Sequence, residues 1–172
     1  MGRVTESLCW VLVFVAAARA GVTDWSYTGP HGPQNWYLDF PHCSGMTQSP
    51  ININTASVLY NKALHPFDLA EYSKTRNITM NLVNKGGHTA EVEYSGDRIR
   101  LLGGNLPDTY ILSQFHFHWG SGSRRGSEHS LDGQHYPMEL HLVHYQSHLN
   151  SIAAAVDQPS GLAVLGYFFK VS

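Results

Sequence analysis

Short runs of alternating apolar and polar residues are the main pattern of the chain beyond residue 66. The turn sequences "GGH", "SGD" and "GGN" separate the early runs, at the spacing that is typical of β-hairpins. The runs predict strands at 78–84, 89–94, 98–102, 110–119, 138–146 and 162–171. Only 151–156 favours a helix, and it is short. The pattern therefore predicts a mainly β domain.

Before these runs, residues 21–66 show little periodicity and are rich in Trp, Tyr, Pro, Gly and Asn. Such a composition predicts a long irregular arm. We expect buried aromatic rings, such as those of Trp25, Tyr27 and Trp36, to hold it in place.

The first twenty residues have the pattern of a signal peptide. Arg3 precedes the apolar run 8–18, which is too short to span a bilayer, and Ala18-Arg19-Ala20 is a small-x-small cleavage site. A membrane anchor or an N-terminal core helix is the less favoured alternative. We therefore expect the mature chain to begin near Gly21 and to be secreted or extracellular, with any membrane attachment left open.

Two further features bear on that expectation. Asn77-Ile78-Thr79 is an acceptor triplet for N-glycosylation, which fits a secreted chain, although such triplets also arise by chance. Signal cleavage removes Cys9 and leaves Cys43 alone. An odd cysteine in a secreted chain indicates an intermolecular bridge, a free thiol or a missing partner.

Composition narrows the class of protein. The 172 residues are about one domain in length, and the net charge is −2 with 14% charged residues. No run of Lys and Arg appears, which argues against nucleic-acid binding, and nothing in the sequence indicates an oligomer. Histidine is unusually abundant, with 11 copies against 11 Lys and Arg together.

Two of the histidines lie one residue apart in "QFHFHWG", residues 114–120. Alternate side chains of a strand share a face. Gln114, His116 and His118 therefore point one way, and the intervening aromatic residues point the other. Taken alone, the His-x-His face is equally consistent with an ordinary polar strand surface.

The next strand changes that balance, because "MELHLVHY" places Glu139, His141 and Val143 on one face. If the two strands pair, His141 lies opposite His116 and His118, and three imidazoles are the ligand set of a catalytic zinc. Gln114 and Glu139 are spaced to hold the second nitrogens of the ligands. A β domain without a metal is the disfavoured alternative.

The residues around this strand are similar to a known family. "SEHSL" at 127–131, Tyr136 and "ELHLV" at 139–143 resemble the signature of the α-class carbonic anhydrases, as do "QFHFHWG", "QSPINI" at 48–53 and "GLAVLGYFFKV" at 161–171. The resemblance extends from Asp24 to the end. It implies a large, twisted, mostly antiparallel sheet with short peripheral helices and zinc at the base of a cleft.

The implied activity is the reversible hydration of carbon dioxide to bicarbonate and a proton by a zinc lyase, through attack by zinc-bound hydroxide. By resemblance, Val143 and Val164 line the substrate pocket and His88 is the proton shuttle. The local sequence here is Gly86-Gly87-His88, whereas the family usually has Asn-Gly-His. A non-catalytic recognition module with the same fold is the alternative.

The resemblance also sets expectations for the end of the chain. In the family, the acid at Glu128 orients a threonine, and the cysteine at Cys43 bridges to one near that threonine, in a segment that this sequence does not reach. We therefore expect residues 21–172 to be the N-terminal part of a single carbonic anhydrase domain, truncated at its C-terminus. Such a chain is expected to bind zinc weakly and to be a poor enzyme.

Overall fold

The computed structural model describes residues 25–122 and 125–171, so the predicted signal peptide at 1–20 lies outside the described residues. The chain divides into two compact units, Met1–Gly45 and Met46–Ser172. Among the described residues, no helix has the length and apolar character needed to cross a bilayer.

The described part of the first unit contains no strand and consists of short 3-10 helices at Gly29–His31, Pro33–Leu38 and Pro41–Ser44. Each has a proline in its first two positions, where the fixed φ of proline suits a helix start. Trp25, Tyr27 and Trp36 contact one another edge to face, with centroids 5.3–6.2 Å apart. Tyr27 is 45% exposed, so the expectation that this ring is buried is wrong.

The second unit is a β structure. Its strands are β1 (Asn52–Ile53), β2 (Phe67–Asp68), β3 (Ile78–Asn84), β4 (Ala90–Gly96), β5 (Arg100–Gly103), β6 (Tyr110–Trp119), β7 (Ser130–Leu131), β8 (Met138–Gln146) and β9 (Leu162–Phe169). β1 and β7 form a small parallel pair, and the other strands form one seven-stranded sheet. Every pairing described in the large sheet is antiparallel. The predicted fold class is confirmed.

Helices are short and few in the described residues of this unit. The helix α1 (Ile152–Ala155) begins at Ser151, whose side chain accepts a hydrogen bond of 3.1 Å from the backbone N–H of Ala154, as an N-cap does. Two further 3-10 helices span Ala70–Ser73 and Ser147–Leu149. The predicted helix at 151–156 is therefore confirmed in a shorter form.

β6 is the central strand that positions the rest of the sheet. β8 pairs along one side of it, while β4 and β5 pair with successive parts of the other side. Tyr110, Ile111 and Leu112 at its start are at most 4% exposed, so the core lies here. The register with β8 shifts by one residue between Leu112 and Gln114, which is a β-bulge at Ser113.

Candidate metal centre

Three imidazoles meet on one face of the β6–β8 pair. His116 is directly opposite His141, and His118 is opposite Glu139, so the predicted strand pairing is confirmed. The three ring centroids are 4.7–5.3 Å apart. Each ring offers a nitrogen within 4.8 Å of the others, so the group could hold a metal ion.

Hydrogen bonds fix the orientation of two of these rings. His116 donates from Nδ1 to Gln114 Oε1 at 2.9 Å, and His141 donates from Nε2 to Glu139 Oε1 at 2.7 Å. A neutral imidazole carries one N–H and one lone pair. Nε2 of His116 and Nδ1 of His141 are therefore the nitrogens left to bind a metal.

His118 supplies the third nitrogen. Its Nε2 is buried and has no hydrogen-bond partner among the described residues. Buried polar atoms are nearly always satisfied, so an orphan of this kind requires an explanation. A metal ion held by His116, His118 and His141 would satisfy it, and the residues present therefore fit a metal.

Burial sets the charge state of the cluster. It lowers the pKa of His118 to about 4, and repulsion from His141 and His116 adds to the effect. Burial is also the largest cause that lowers the pKa of His116, followed by repulsion from His141. A metal binds the neutral form of histidine, so both rings are ready to bind at neutral pH.

Glu139 connects the cluster to the loop before β8. Its carboxylate is 2% exposed, and Oε1 accepts hydrogen bonds from His141 and from His129 Nδ1, each at 2.7 Å. Oε2 accepts from the backbone N–H groups of Glu128 and His129, both at 2.9 Å. Burial raises the pKa of Glu139, but these hydrogen bonds outweigh it and the net shift is downward. The buried carboxylate is therefore ionised and fully satisfied.

Two contributors to the site were absent from the sequence-based prediction. Gly166 on β9 pairs with His141, and a Cβ there would lie 3.3 Å from Glu139 Oε1 and 3.8 Å from His141 Cδ2. A glycine inside an apolar strand often marks such a close approach, so the signal was available. His129 has no ligand spacing in the sequence, and its bond to Glu139 depends on the fold of a loop.

The residues assigned to the substrate pocket lie beside the cluster. Val143 is paired with Val164 on β9 and with Gln114 on β6. Val143 is buried at 9% exposure, whereas Val164 is 51% exposed.

His88 lies in the turn between β3 and β4, where its backbone N–H donates to the Lys85 carbonyl at 3.0 Å. A cavity of about 350 Å³ includes Gly87, Thr89 and Trp119 in its lining. The residues on either side of His88 therefore lie near Trp119, the last residue of β6. The imidazole cluster itself does not line this cavity.

The remaining predicted positions are Cys43, Asn77 and Glu128. Cys43 is exposed and forms no disulfide with a described residue. Asn77 precedes β3 with a positive φ of 56°, and its Nδ2 donates to Asp97 Oδ2 at 3.3 Å. Glu128 is close to the cluster, with Oε1 3.3 Å from His118 Nδ1 and Oε2 3.9 Å from His141 Nδ1.

Comparison with known proteins agrees with this geometry. The family model of the eukaryotic-type carbonic anhydrases matches residues 31–172, and the chain belongs to this family. It is 40% identical over 150 residues to carbonic anhydrase 3 of Bos taurus and 37% identical to carbonic anhydrase 3 of Homo sapiens and of Rattus norvegicus. These matches cover 86% of this chain and 56% of each relative. The chain therefore spans little more than half the length of these relatives.

Proposed function

We propose that this chain carries a zinc site for the reversible hydration of carbon dioxide to bicarbonate and a proton. The observation that carries the proposal is the convergence of His116, His118 and His141, with the buried and unpartnered Nε2 of His118 among them. Three histidines are the zinc ligand set for which carbonic anhydrase is the type case. Family membership supports the same activity.

Zinc in such a site lowers the pKa of a water molecule towards neutrality and so supplies a nucleophile at physiological pH. Gln114 and Glu139 orient two of the ligand rings and fix their tautomers. Partners of this kind also raise the basicity of the ligand. The ionised Glu139 is the stronger acceptor of the two, since hydrogen bonds to a charged group are shorter and stronger.

The substrate and the proton need different surroundings. Carbon dioxide is uncharged and apolar, and it is offered an apolar patch by Val143 on β8, the strand that carries His141, together with its partner Val164 on β9. The proton must leave towards solvent, and imidazole takes up and releases protons near neutral pH. We assign this step to His88, which lies in the turn between β3 and β4, the strand that pairs with β6 beside His116.

The cellular location is a further part of the proposal. The signal-peptide pattern at 1–20 and the acceptor Asn77 both support a secreted or extracellular chain. Expression in a secretory host tests this. We expect a secreted product that begins near Gly21 and loses mass on treatment with an N-glycosidase, and an unprocessed product retained in the cell would contradict it.

The activity is tested on the purified chain by zinc analysis and stopped-flow hydration of carbon dioxide. We expect zinc binding and hydration above the uncatalysed rate, with both lost in His141→Ala. The control is His148→Ala, which alters an exposed histidine outside the cluster. Zinc binding without hydration would support a recognition module instead, and a chain that binds no zinc would refute the proposal.

A further inference from the structure

The outer nitrogens of two ligand rings donate hydrogen bonds, and the outer nitrogen of the third ring lies near a carboxylate. Gln114 Oε1 serves His116 and Glu139 Oε1 serves His141. The group in the same place for His118 is Glu128, whose Oε1 lies 3.3 Å from Nδ1. We propose that Glu128 positions His118 as a metal ligand by holding its Nδ1–H, so that Nε2 faces the metal. This inference rests on the zinc site of the proposed function.

The main chain fixes where the Glu128 carboxylate lies. The backbone N–H of Glu128 donates to Glu139 Oε2 at 2.9 Å. Just before it, the N–H groups of Gly126 and Ser127 both donate to the Tyr136 carbonyl at 2.9 Å. These bonds tie the loop to the segment that leads into β8.

Two further contacts hold the same loop. A Cβ at Gly126 would collide with the Pro137 carbonyl. Only glycine therefore allows the loop to lie this close to Pro137. The Ser127 hydroxyl donates to the His129 carbonyl at 2.7 Å and accepts from the Tyr136 N–H at 2.9 Å. Glu128 therefore lies between two well-anchored residues, as a positioning group requires.

The alternative is that Glu128 only neutralises charge near the cluster. The two roles differ in what each substitution preserves. Glu128→Gln keeps an oxygen that accepts from Nδ1–H but removes the charge, whereas Glu128→Ala removes both. Asp157→Asn is the matched control, because it removes one carboxylate charge at an exposed position after α1.

The experiment measures zinc affinity by competition with a chromophoric chelator, the absorption spectrum of the cobalt(II)-substituted chain, and the imidazole N–H resonance of His118. We expect Glu128→Ala to weaken zinc binding by about 10- to 100-fold, as removal of groups that orient metal ligands does. Its cobalt spectrum should change and the Nδ1–H resonance should shift or exchange faster. Glu128→Gln should retain most of the affinity, and Asp157→Asn all of it.

Several results would overturn the inference. Wild-type zinc affinity and an unchanged cobalt spectrum in Glu128→Ala would do so, as would equal losses in the Gln and Ala variants, which would assign the effect to charge. If Glu128→Ala does not fold, the His118 Nδ1–H resonance in Glu128→Gln provides the test. A resonance like that of the parent supports the inference, and loss of the resonance overturns it. A parent chain without zinc binding refutes the proposed function as well, whereas a zinc-binding parent with unaffected variants refutes this inference alone.

Discussion

The β6–β8 pair and the β3–β4 hairpin are both antiparallel, yet they differ in what surrounds them. β8 lies between β6 and β9, and β6 has partners on both of its sides. β3 pairs with β4 alone among the described strands. Leu82 on β3 is 72% exposed, whereas Leu112 on β6 is 4% exposed. One pair is the centre of the sheet and the other is its edge.

The proposed chemistry follows this difference. Metal ligands must keep fixed distances, and they lie on strands whose neighbours restrict movement on both sides. A proton carrier must instead exchange with solvent, and His88 is in the turn of the edge hairpin. The same sheet thus supplies a fixed site and an accessible one.

The largest expected effect separates the two regions by stability. Leu112→Ala should lower the free energy of unfolding by about 2–5 kcal/mol, because it leaves a cavity in the core. Leu82→Ala, the same substitution on β3, should change it by less than about 0.5 kcal/mol. Urea unfolding of both variants measures the difference, and equal losses would show that the hairpin is buried as deeply as the centre.

The second prediction separates the regions by function. His118→Ala should weaken zinc binding by more than about 100-fold, since loss of a ligand exceeds the loss of a group that orients one. His88→Ala should leave zinc affinity unchanged but lower hydration in weak buffer by roughly 10-fold or more. Added imidazole buffer should restore the rate. A hydration rate in His88→Ala that matches the parent in weak buffer would remove the shuttle assignment.

The third prediction concerns β9, the outer neighbour of β8. Gly166→Ala should weaken zinc binding by about 10-fold, because a methyl group 3.3 Å from Glu139 Oε1 shifts the carboxylate that orients His141. Gly122→Ala is the control, since a Cβ there meets nothing within 4 Å. Chelator competition on both variants measures the effect, and unchanged affinity in Gly166→Ala would show that β9 yields without moving the ligand.

The smallest effect is a pH dependence on the opposite face of β8. His144 is 0% exposed and donates from Nδ1 to the Ala163 carbonyl at 3.0 Å, and its Nε2 accepts from the Tyr72 hydroxyl. Burial lowers its pKa in the folded chain. The unfolded chain therefore binds this proton first as pH falls, and the stability contributed by His144 is present above pH ~6.5 and lost below it.

His144 alone can change the free energy of unfolding by no more than about 1.4 kcal/mol per pH unit. Urea unfolding of the metal-free chain from pH 7.5 to 4.5 measures it. His144→Phe should be less stable at pH 7.5 but lose less stability on acidification than the parent. Parallel pH profiles for the two chains would contradict the assignment.

Much of the sheet could be predicted from the sequence, because alternation of apolar and polar residues identifies strands directly. The bounds of β3, β6 and β8 agree with the prediction, whereas β4, β5 and β9 differ from it by one or two residues at one or both ends. β1, β2 and β7 have two residues each, which is too short for any periodic pattern.

The metal cluster could be predicted in part. The face shared by His116 and His118 follows from strand geometry, and their proximity to His141 needed only the pairing of β6 with β8. The contact of Glu128 with His118 could not be predicted, because it depends on hydrogen bonds that fold the loop before β8. Local patterns carry no information about such loops.

The bulge at Ser113 has a consequence for how this site tolerates change. Before it, Leu112 pairs with His144, and after it, His116 pairs with His141. If Ser113 were paired with β8 instead of bulging out, continuation of the first register would place His141 opposite Phe115, on the other face from His116 and His118. The metal centre therefore depends on the pairing register as well as on residue type. Deletion of Ser113 would remove the bulge and still leave His116 opposite His141, whereas loss of the bulge with Ser113 retained would separate the three ligands while leaving each of them in the sequence.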